Sequence, residues 1–219
     1  MQTRTFLRYF LFLIFALFFA LPLHAADGFY VGAWGGGTLL DEARVRGHQG
    51  SFNADFDGGM AFGAALGYDF AERYPQIGKG RMELEWSYRA NDLKDARFTD
   101  GRFAAEGDVS VWSLMVNSFA EYHVTRPWLP YVGLGAGYAR LSLNNARLAG
   151  TPLGDDSDDV FAYQFGGGLG YQVNNHLTVD LGYRYFATLD ATLRLADQTS
   201  VDWEYDSHTL LLGLRLTFR

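Results

Sequence analysis

Charged side chains recur at every second residue in several segments of this 219-residue chain. Between Arg81 and Arg89, acidic and basic residues alternate with large apolar ones. Successive side chains of a β-strand point to opposite faces, so this spacing predicts a strand with one charged face and one apolar face. The predicted polar faces of all such segments together carry Asp69, Arg81, Glu83, Glu85, Arg89, Asn117, Glu121, Gln164, Asp180, Arg184 and Arg215.

Carboxylates and guanidinium groups confined to one interior can either pair or line a path for ions. An unpaired charge away from water is costly, so we expect the opposite charges to pair and to fix the register of the strands. A narrow, gated path for ions or small solutes is the alternative. The predicted charge network consists of Glu83, Glu85, Arg89, Glu121, Asp180, Arg184 and Arg215.

A hydrolase would need a histidine, a serine or threonine nucleophile and an orienting carboxylate at one place. Asp206, Ser207 and His208 are consecutive, but neighbours on a strand point to opposite faces and cannot form a triad alone. Ser110 or Ser113 could meet His208 from another strand. The sequence therefore predicts no catalytic site, and an enzyme that modifies lipid A remains the less favoured alternative.

The acidic run Asp155 to Asp159 is the one stretch that suggests a metal. It lacks the ligand spacing and the closing glutamate of an EF-hand loop. We therefore predict a solvated acidic loop and assign no metal or cofactor to the chain, although specific ion binding by this loop stays open.

The alternating pattern occurs in eight segments separated by turn-rich gaps. The segments are 28–40, 58–70, 81–91, 108–123, 130–143, 207–219 and the two strands of a hairpin over 161–186 that turns at Asn174-Asn175. The gaps alternate between long (41–57, 92–107, 144–160, 188–206) and short (71–80, 124–129, 173–176). Short turns on the periplasmic side and long loops on the outer side of a membrane barrel produce this rhythm.

In a soluble β-sandwich, the bulky apolar face of one sheet packs against a second apolar face. Here the face opposite the bulky apolar residues carries small and polar residues, which do not form an ordinary core. A sheet that is apolar outside and polar inside suits a closed barrel in lipid. The sequence thus predicts an all-β fold, an eight-stranded antiparallel up-and-down transmembrane β-barrel with both termini in the periplasm. Aromatic girdles at the two membrane interfaces are expected from Tyr68, Phe70, Trp86, Tyr88, Trp112, Tyr122, Tyr131, Tyr163, Tyr171, Tyr185 and Phe218.

Residues 1–25 combine a basic start, a short uncharged apolar run and small residues near Ala25. This pattern is typical of a cleaved secretory signal peptide, which leaves residues 26–219 as the barrel domain. The chain has no cysteine and a net charge of −7, and this acidic balance argues against binding to nucleic acid.

With the strands assigned, the chain resembles the small outer-membrane barrels, namely the opacity-type porin-like surface antigens and barrels of the OmpX and OmpA kind. The resemblance is carried by segments 27–37, 113–124 and 127–141 and by the closing sequence LLLGLRLTFR. In the closing segment, Gly213, Leu216 and Phe218 match the signal that the barrel-assembly machinery recognises. Leu211 stands where a polar residue is usual, and Arg219 follows a phenylalanine that is usually terminal.

The resemblance implies a bacterial outer-membrane protein surrounded by lipopolysaccharide, with a role in adhesion, surface protection or envelope integrity. We therefore expect a structural or adhesin-type surface antigen with a lumen largely plugged by charged pairs. Its long loops would contact a host or cell-surface ligand. A small porin-like channel and a lipid A-modifying enzyme are the alternatives.

Overall fold

The computed structural model describes residues 28–40, 43–47, 50–70, 80–98, 101–122, 126–148, 151–194 and 200–218. The predicted signal peptide lies outside these residues, so its cleavage stays a prediction. Within the described part of the chain, no helix is long and apolar enough to cross a membrane.

The described residues form twelve β-strands. They are β1 (Phe29–Leu40), β2 (Ala43–Gly47), β3 (Gly50–Phe56), β4 (Gly59–Asp69), β5 (Gly80–Phe98), β6 (Gly101–Glu121), β7 (Trp128–Leu148), β8 (Thr151–Gln172), β9 (Leu177–Thr188), β10 (Ala191–Arg194), β11 (Ser200–Trp203) and β12 (Asp206–Thr217).

Eight of these strands close into an antiparallel barrel in the order β1, β4, β5, β6, β7, β8, β9, β12. The first and last strands complete the ring, with Val31 opposite Leu216 in register. On its other side, Val31 lies opposite Leu66 of β4. The predicted eight-stranded up-and-down barrel is therefore confirmed, and closure leaves none of these strands with a free edge in the barrel wall.

The alternation in the sequence becomes an alternation between the barrel's exterior and its lumen. On β12, Leu210 is 64% exposed, whereas the next residue, Leu211, is 5% exposed. The outward side chains form an apolar belt around the barrel, as expected of a surface that faces hydrocarbon. The belt consists of Met60, Phe62, Leu66, Met82, Leu84, Leu114, Val116, Val132, Leu134, Phe165, Leu169, Leu181, Leu210, Leu212, Leu214 and Leu216.

Both termini of the barrel lie at one end, called here the terminal end, where Phe218 N–H donates to Phe29 C=O at 2.8 Å. At the opposite end, β5 to β8 continue well past the predicted strand limits. The prediction that the four long gaps are loops was wrong. These gaps contain β2, β3, β10, β11 and the outer parts of β5 to β8. Polar strands do not show the apolar outward face on which the sequence assignment relied, yet they can still pair through their backbones.

The extension is defined here as β2, β3, β10 and β11 together with residues 92–98, 101–108, 144–148 and 151–159. Strand ladders run through it in the order β8, β7, β6, β5, β3, β2, β11, β10. The two outermost strands of this order meet where Thr192 N–H donates to the Asp158 carboxylate at 2.8 Å. The predicted loops therefore form an organised wall that prolongs the barrel.

An apolar cluster fills the interior where the barrel meets the extension. It joins inward residues of the barrel strands to residues of β10 and of the segment around β11. Its members are Val109, Val111, Met115, Ala139, Leu141, Leu143, Ala146, Val160, Ala162, Phe186, Ala191, Leu193, Trp203 and Tyr205. Burial of these side chains, each stabilising by roughly 1.5–3 kcal/mol for a Leu- or Phe-sized group, ties the extension to the barrel.

Candidate functional site

Ionisable residues inside the barrel near its terminal end form a first group around Glu83. Arg81 Nε donates to Glu83 Oε1 at 3.0 Å, and the Tyr30 hydroxyl donates to the same oxygen at 2.6 Å. Tyr30 comes from β1 and Glu83 from β5, two strands away around the ring. A neutral donor and a cation thus satisfy one buried carboxylate from two different strands.

Glu121 lies beside this group and links it to the far wall of the lumen. Its Oε1 accepts hydrogen bonds from Arg81 Nη1 and from Arg215 Nη1, the latter at 2.6 Å. Glu121 is on β6 and Arg215 on β12, four places apart in a ring of eight. This ion pair therefore spans the barrel's diameter. Arg215 Nη2 lies 3.6 Å from Asp180 Oδ1 and extends the charged chain to β9.

A second diametric pair occupies the centre of the lumen. Arg184 Nη1 on β9 lies 2.8 Å from Glu85 Oε1 and 2.6 Å from Glu85 Oε2 on β5. Trp34 Nε1 donates to Oε2 at 3.1 Å, and Gln164 Nε2 lies 3.2 Å from Oε1. Gln164 Nε2 also donates to Asn117 at 2.6 Å, so five strands contribute to this polar layer.

Arg89, a predicted member of the charge network, forms no ion pair with a carboxylate among the residues that the structure describes. Its Nη1 donates to Ser87 Oγ at 2.8 Å and approaches Ser113 Oγ at 3.4 Å. Its Cζ lies 3.9 Å from the ring centroid of Phe186. This level of the lumen carries hydroxyl and aromatic side chains, and the apolar cluster begins here.

Aromatic side chains surround the charged group at the terminal end. Arg81 Cζ lies 4.2 Å from the ring centroid of Phe119 and 4.7 Å from that of Tyr131. Tyr131 is 7% exposed and faces the lumen, which corrects its predicted place in an aromatic girdle. The wall makes room for it with glycine: a Cβ on either Gly168 or Gly182 would lie 2.6 Å from the Tyr131 hydroxyl oxygen.

The other predicted girdle residues lie on the outward face, in two bands. Near the terminal end, Tyr68 packs edge-on against Phe70, with ring centroids 5.3 Å apart. Near the other rim, Trp112 packs against Tyr138 at 5.8 Å. The terminal band holds Tyr68, Phe70, Tyr122, Tyr171 and Phe218, and the outer band holds Trp86, Tyr88, Trp112, Tyr163 and Tyr185.

A cavity of about 40 Å³ lies within the lumen at the level of the ion pairs. Trp34, Glu83, Glu85, Asp180, Arg184 and Arg215 are among the residues that line it. A space of this size holds one or a few water molecules and no larger solute. At this level of the lumen, the charged groups therefore leave room for water beside them.

Asp206, Ser207 and His208 are not brought together as a catalytic group. Ser207 is buried towards the lumen, whereas the Tyr183 hydroxyl lies 2.5 Å from His208 Nδ1 on the outer face. The Tyr185 hydroxyl donates to Asp206 at 2.9 Å. Ser113, one of the two alternative nucleophiles, faces the lumen and contacts Ser87 at 2.7 Å. The wall of the barrel therefore separates these serines from His208.

The acidic run Asp155 to Asp159 belongs to strand β8, which corrects its prediction as a loop. Its carboxylates accept hydrogen bonds from backbone amides: Asp155 Oδ1 lies 2.6 Å from Asn145 N, and Asp158 Oδ1 lies 2.8 Å from Asp159 N. Among the residues the structure describes, no group of three or more metal-ligating side chains is placed to hold an ion.

The predicted assembly signal lies at the terminal end of β12. Gly213 faces the lumen against Trp34, where an added Cβ would lie 3.4 Å from the Trp34 Cβ. Leu216 faces outward at 42% exposure, and Phe218 N–H donates to Phe29 C=O at 2.8 Å. The segment thus forms the closing seam between the last strand and the first.

The sequence did not identify which partners each lumen residue would meet. Tyr30 and Trp34 of β1 are two examples, since the sequence does not predict their hydrogen bonds to Glu83 and Glu85. Their alternation with Phe29 and Val31 is the signal that could have found them, because both then fall on the lumen side.

Comparisons with known proteins agree with this architecture. A family model described as an outer membrane protein beta-barrel domain matches residues 10–218. The chain is 29% identical over 136 residues to the outer membrane protein PagN of Salmonella typhimurium, covering 56% of this chain and 55% of PagN. It spans about half the length of that relative. An uncharacterised protein of Brucella abortus is 25% identical, with 93% of this chain and 89% of the relative covered.

Two solved structures resemble the barrel over most of its length. Neisserial surface protein A (NspA) aligns with a TM-score of 0.56 and 20% identity, covering 89% of this chain and 100% of NspA. The outer membrane protein OprG from Pseudomonas aeruginosa aligns with a TM-score of 0.55 and 16% identity, covering 88% and 98% of the two chains. At these identities the likeness concerns the fold.

Proposed function

The chain belongs to the family of outer membrane protein beta-barrel domains, and from that premise we propose that it is an adhesin-type surface antigen that acts through its extension. Membership in this family implies the bacterial outer membrane. The terminal end then faces the periplasm and the extension faces outward, because short turns are periplasmic in such barrels.

The main support for this proposal is that the extension is built from paired strands around an apolar interior. Loops that only joined membrane strands would need neither strand pairing nor buried apolar side chains. Here β11 pairs with β2, with Trp203 opposite Val45, and so links two segments that are distant in the sequence. Trp203 is 4% exposed and belongs to the apolar cluster. A surface that is held rigid in this way loses less entropy when it binds a partner.

The contents of the lumen support a barrel that is closed to solutes. Two ion pairs cross its diameter, Glu85 with Arg184 and Glu121 with Arg215. Beyond them, Val111, Leu141 and Phe186 of the apolar cluster lie fully buried across the route to the outer end. A barrel of eight strands has an interior that side chains can fill, so a conducting path would require these groups to move.

Exchange of the outer segments tests the proposal. In one variant, residues 41–57 and 188–206 are replaced by short Gly-Ser turns; in the control, residues 71–79 of the opposite end are replaced. Bacteria that express the protein should lose attachment to epithelial cells in the first variant and keep it in the control. Both variants should retain the shift in gel mobility on heating that a folded barrel gives. Unchanged attachment in the first variant contradicts the proposal.

Two further measurements separate this function from its alternatives. In planar bilayers, we expect no discrete conductance steps from the purified protein. Steps that change in Glu121→Gln or Arg215→Gln would favour the porin-like channel. Mass spectrometry of lipid A should show no change on expression, whereas a modification lost in His208→Ala would favour the enzyme.

A further inference from the structure

One edge of the Arg89 guanidinium, formed by Nε and Nη2, has no hydrogen-bond partner inside the protein. The side chain is 0% exposed. Nη1 is used by Ser87 and Ser113, whereas Nε and Nη2 have no hydrogen-bond partner. Nε–H and Nη2–H form the side-on edge with which arginine grips an anion through two parallel hydrogen bonds.

The carboxylates of the lumen do not reach this edge. Glu85 is bound by Arg184, Trp34 and Gln164, and Glu83 is bound by Arg81 and Tyr30. Within the described residues, no ion pair joins Arg89 to an acidic side chain. Glu85, the nearest of these acids along β5, is four residues away, roughly 13 Å at about 3.3 Å per residue.

On the side of the extension, Arg89 meets the apolar cluster. Phe186 covers one face of the guanidinium at 3.9 Å, and Val111 is its neighbour in register on β6. Both residues are fully buried. Neither supplies an acceptor. The Tyr205 hydroxyl, which also acts on Arg89 electrostatically, donates to Asn91 at 3.3 Å and does not bond the open edge.

Arg89 does not become neutral by losing a proton, because a guanidinium group stays charged in proteins. A buried cation without a counter-charge is expensive, and isolated charges inside membrane proteins usually mark a site. Glu85 acts on Arg89 through space but is hydrogen-bonded to Arg184, so the Nε and Nη2 edge of Arg89 lacks an anionic acceptor of its own. A small monovalent anion would supply one.

We propose that Arg89 binds a chloride ion on its Nε and Nη2 edge. The Ser87 and Ser113 hydroxyls, 2.7 Å apart on β5 and β6, hold Nη1 in place and orient that edge. The ion has a structural role: it accepts hydrogen bonds from the unpaired edge of Arg89 where the polar layers end and the apolar cluster begins. This site is independent of the ligand that the extension binds.

The test uses the full protein refolded in detergent, with its urea unfolding measured in sodium chloride and in sodium gluconate at equal ionic strength. Gluconate carries the same charge as chloride but is a bulky organic anion. Chloride should favour the folded state in a saturable way, by about 100-fold in the folding equilibrium where its concentration is about 100 times its dissociation constant. Arg89→Gln should lose this dependence. The control Arg140→Gln changes an exposed arginine that pairs with Asp159 at 3.3 Å, and should keep it.

Crystals of the unaltered protein grown in sodium bromide supply a readout that does not depend on a variant that folds. An anomalous bromide peak within hydrogen-bonding distance of Arg89 Nε and Nη2 supports the site. Equal unfolding in chloride and gluconate, a chloride dependence that survives in Arg89→Gln, or the absence of bromide at that position would each overturn it.

Discussion

Arg184 reaches across the full diameter of the barrel to Glu85, with its Nη1 2.6 Å from one carboxylate oxygen and 2.8 Å from the other. The two residues lie on β9 and β5, which are opposite each other in the ring. Glu85 is 0% exposed. Since neighbouring strands are already held by their backbone ladders, a contact between opposite strands adds a constraint that the ladders do not provide.

Removal of one partner of this pair should destabilise the barrel strongly. Glu85→Gln leaves the Arg184 guanidinium in the lumen without its counter-charge, and breaking a buried pair from one side costs about 3–5 kcal/mol. We expect a loss of that size in the free energy of unfolding, measured by urea titration in detergent. The double variant Glu85→Gln/Arg184→Gln should recover part of it, because neither charge then remains. A double variant less stable than Glu85→Gln would contradict this reading.

Gly67 should tolerate no side chain, because its site is filled by Tyr30. A Cβ at this position would overlap the Tyr30 ring, which is held by the 2.6 Å hydrogen bond to Glu83. We expect Gly67→Ala to lower the free energy of unfolding by about 1–3 kcal/mol, as overpacking does. Gly37 is the matched control, since its added Cβ meets nothing within 4 Å. Gly37→Ala should unfold at or slightly above the urea concentration of the unaltered protein, and equal stability of the two variants would refute the assignment.

Asp108 and Asp92 lie opposite each other in register on the outer face of the extension. Loss of surrounding water, followed by the hydrogen bond and the charge of Asp92, raises the pKa of Asp108 above its ordinary value. A raised pKa means that the folded state favours the protonated acid, so stability falls as pH rises through the pKa of the folded state. Asp108→Asn should therefore raise the thermal unfolding midpoint at about pH 7.5, and this gain should shrink towards about pH 4. A gain that is equal at both pH values would exclude the coupling.

The alternation of residues was enough to predict the barrel strands and the lumen positions of charged residues such as Glu83 and Glu85. Glu83 and Glu85 alternate with Met82 and Leu84, and the period of two carries that information directly. Partner identity is different, because it depends on how strands are staggered around the ring. Glu85 meets Arg184, 99 residues away, only because β5 and β9 fall on opposite sides of a closed barrel.

Tyr131 and the extension show why other predictions failed. On β7, Gly133, Gly135 and Gly137 carry no side chain that would mark an inside or an outside, and the sequence analysis put Tyr131 on the wrong face. Tyr131 turns inward because Gly168 and Gly182 leave space for its hydroxyl. In the extension, residues 155–159 of β8 are all polar, so this part of the strand lacks the alternation of apolar and polar residues that predicts a strand from sequence.

Asp158 connects β8 and β10, the two outermost strands of the extension, by a hydrogen bond. Its carboxylate accepts Thr192 N–H from β10 at 2.8 Å and Asp159 N–H from β8 at 2.8 Å. A hydrogen bond to a charged acceptor contributes about 1.5–3 kcal/mol, so Asp158→Ala should speed exchange of the Thr192 amide hydrogen by about tenfold or more. The control Asp155→Ala removes the acceptor of Asn145 N–H and should leave Thr192 unchanged. Hydrogen exchange followed by mass spectrometry reads both sites in one experiment. If Thr192 exchanges at the same rate in Asp158→Ala as in the unaltered protein, backbone packing alone seals the extension and the carboxylate does not.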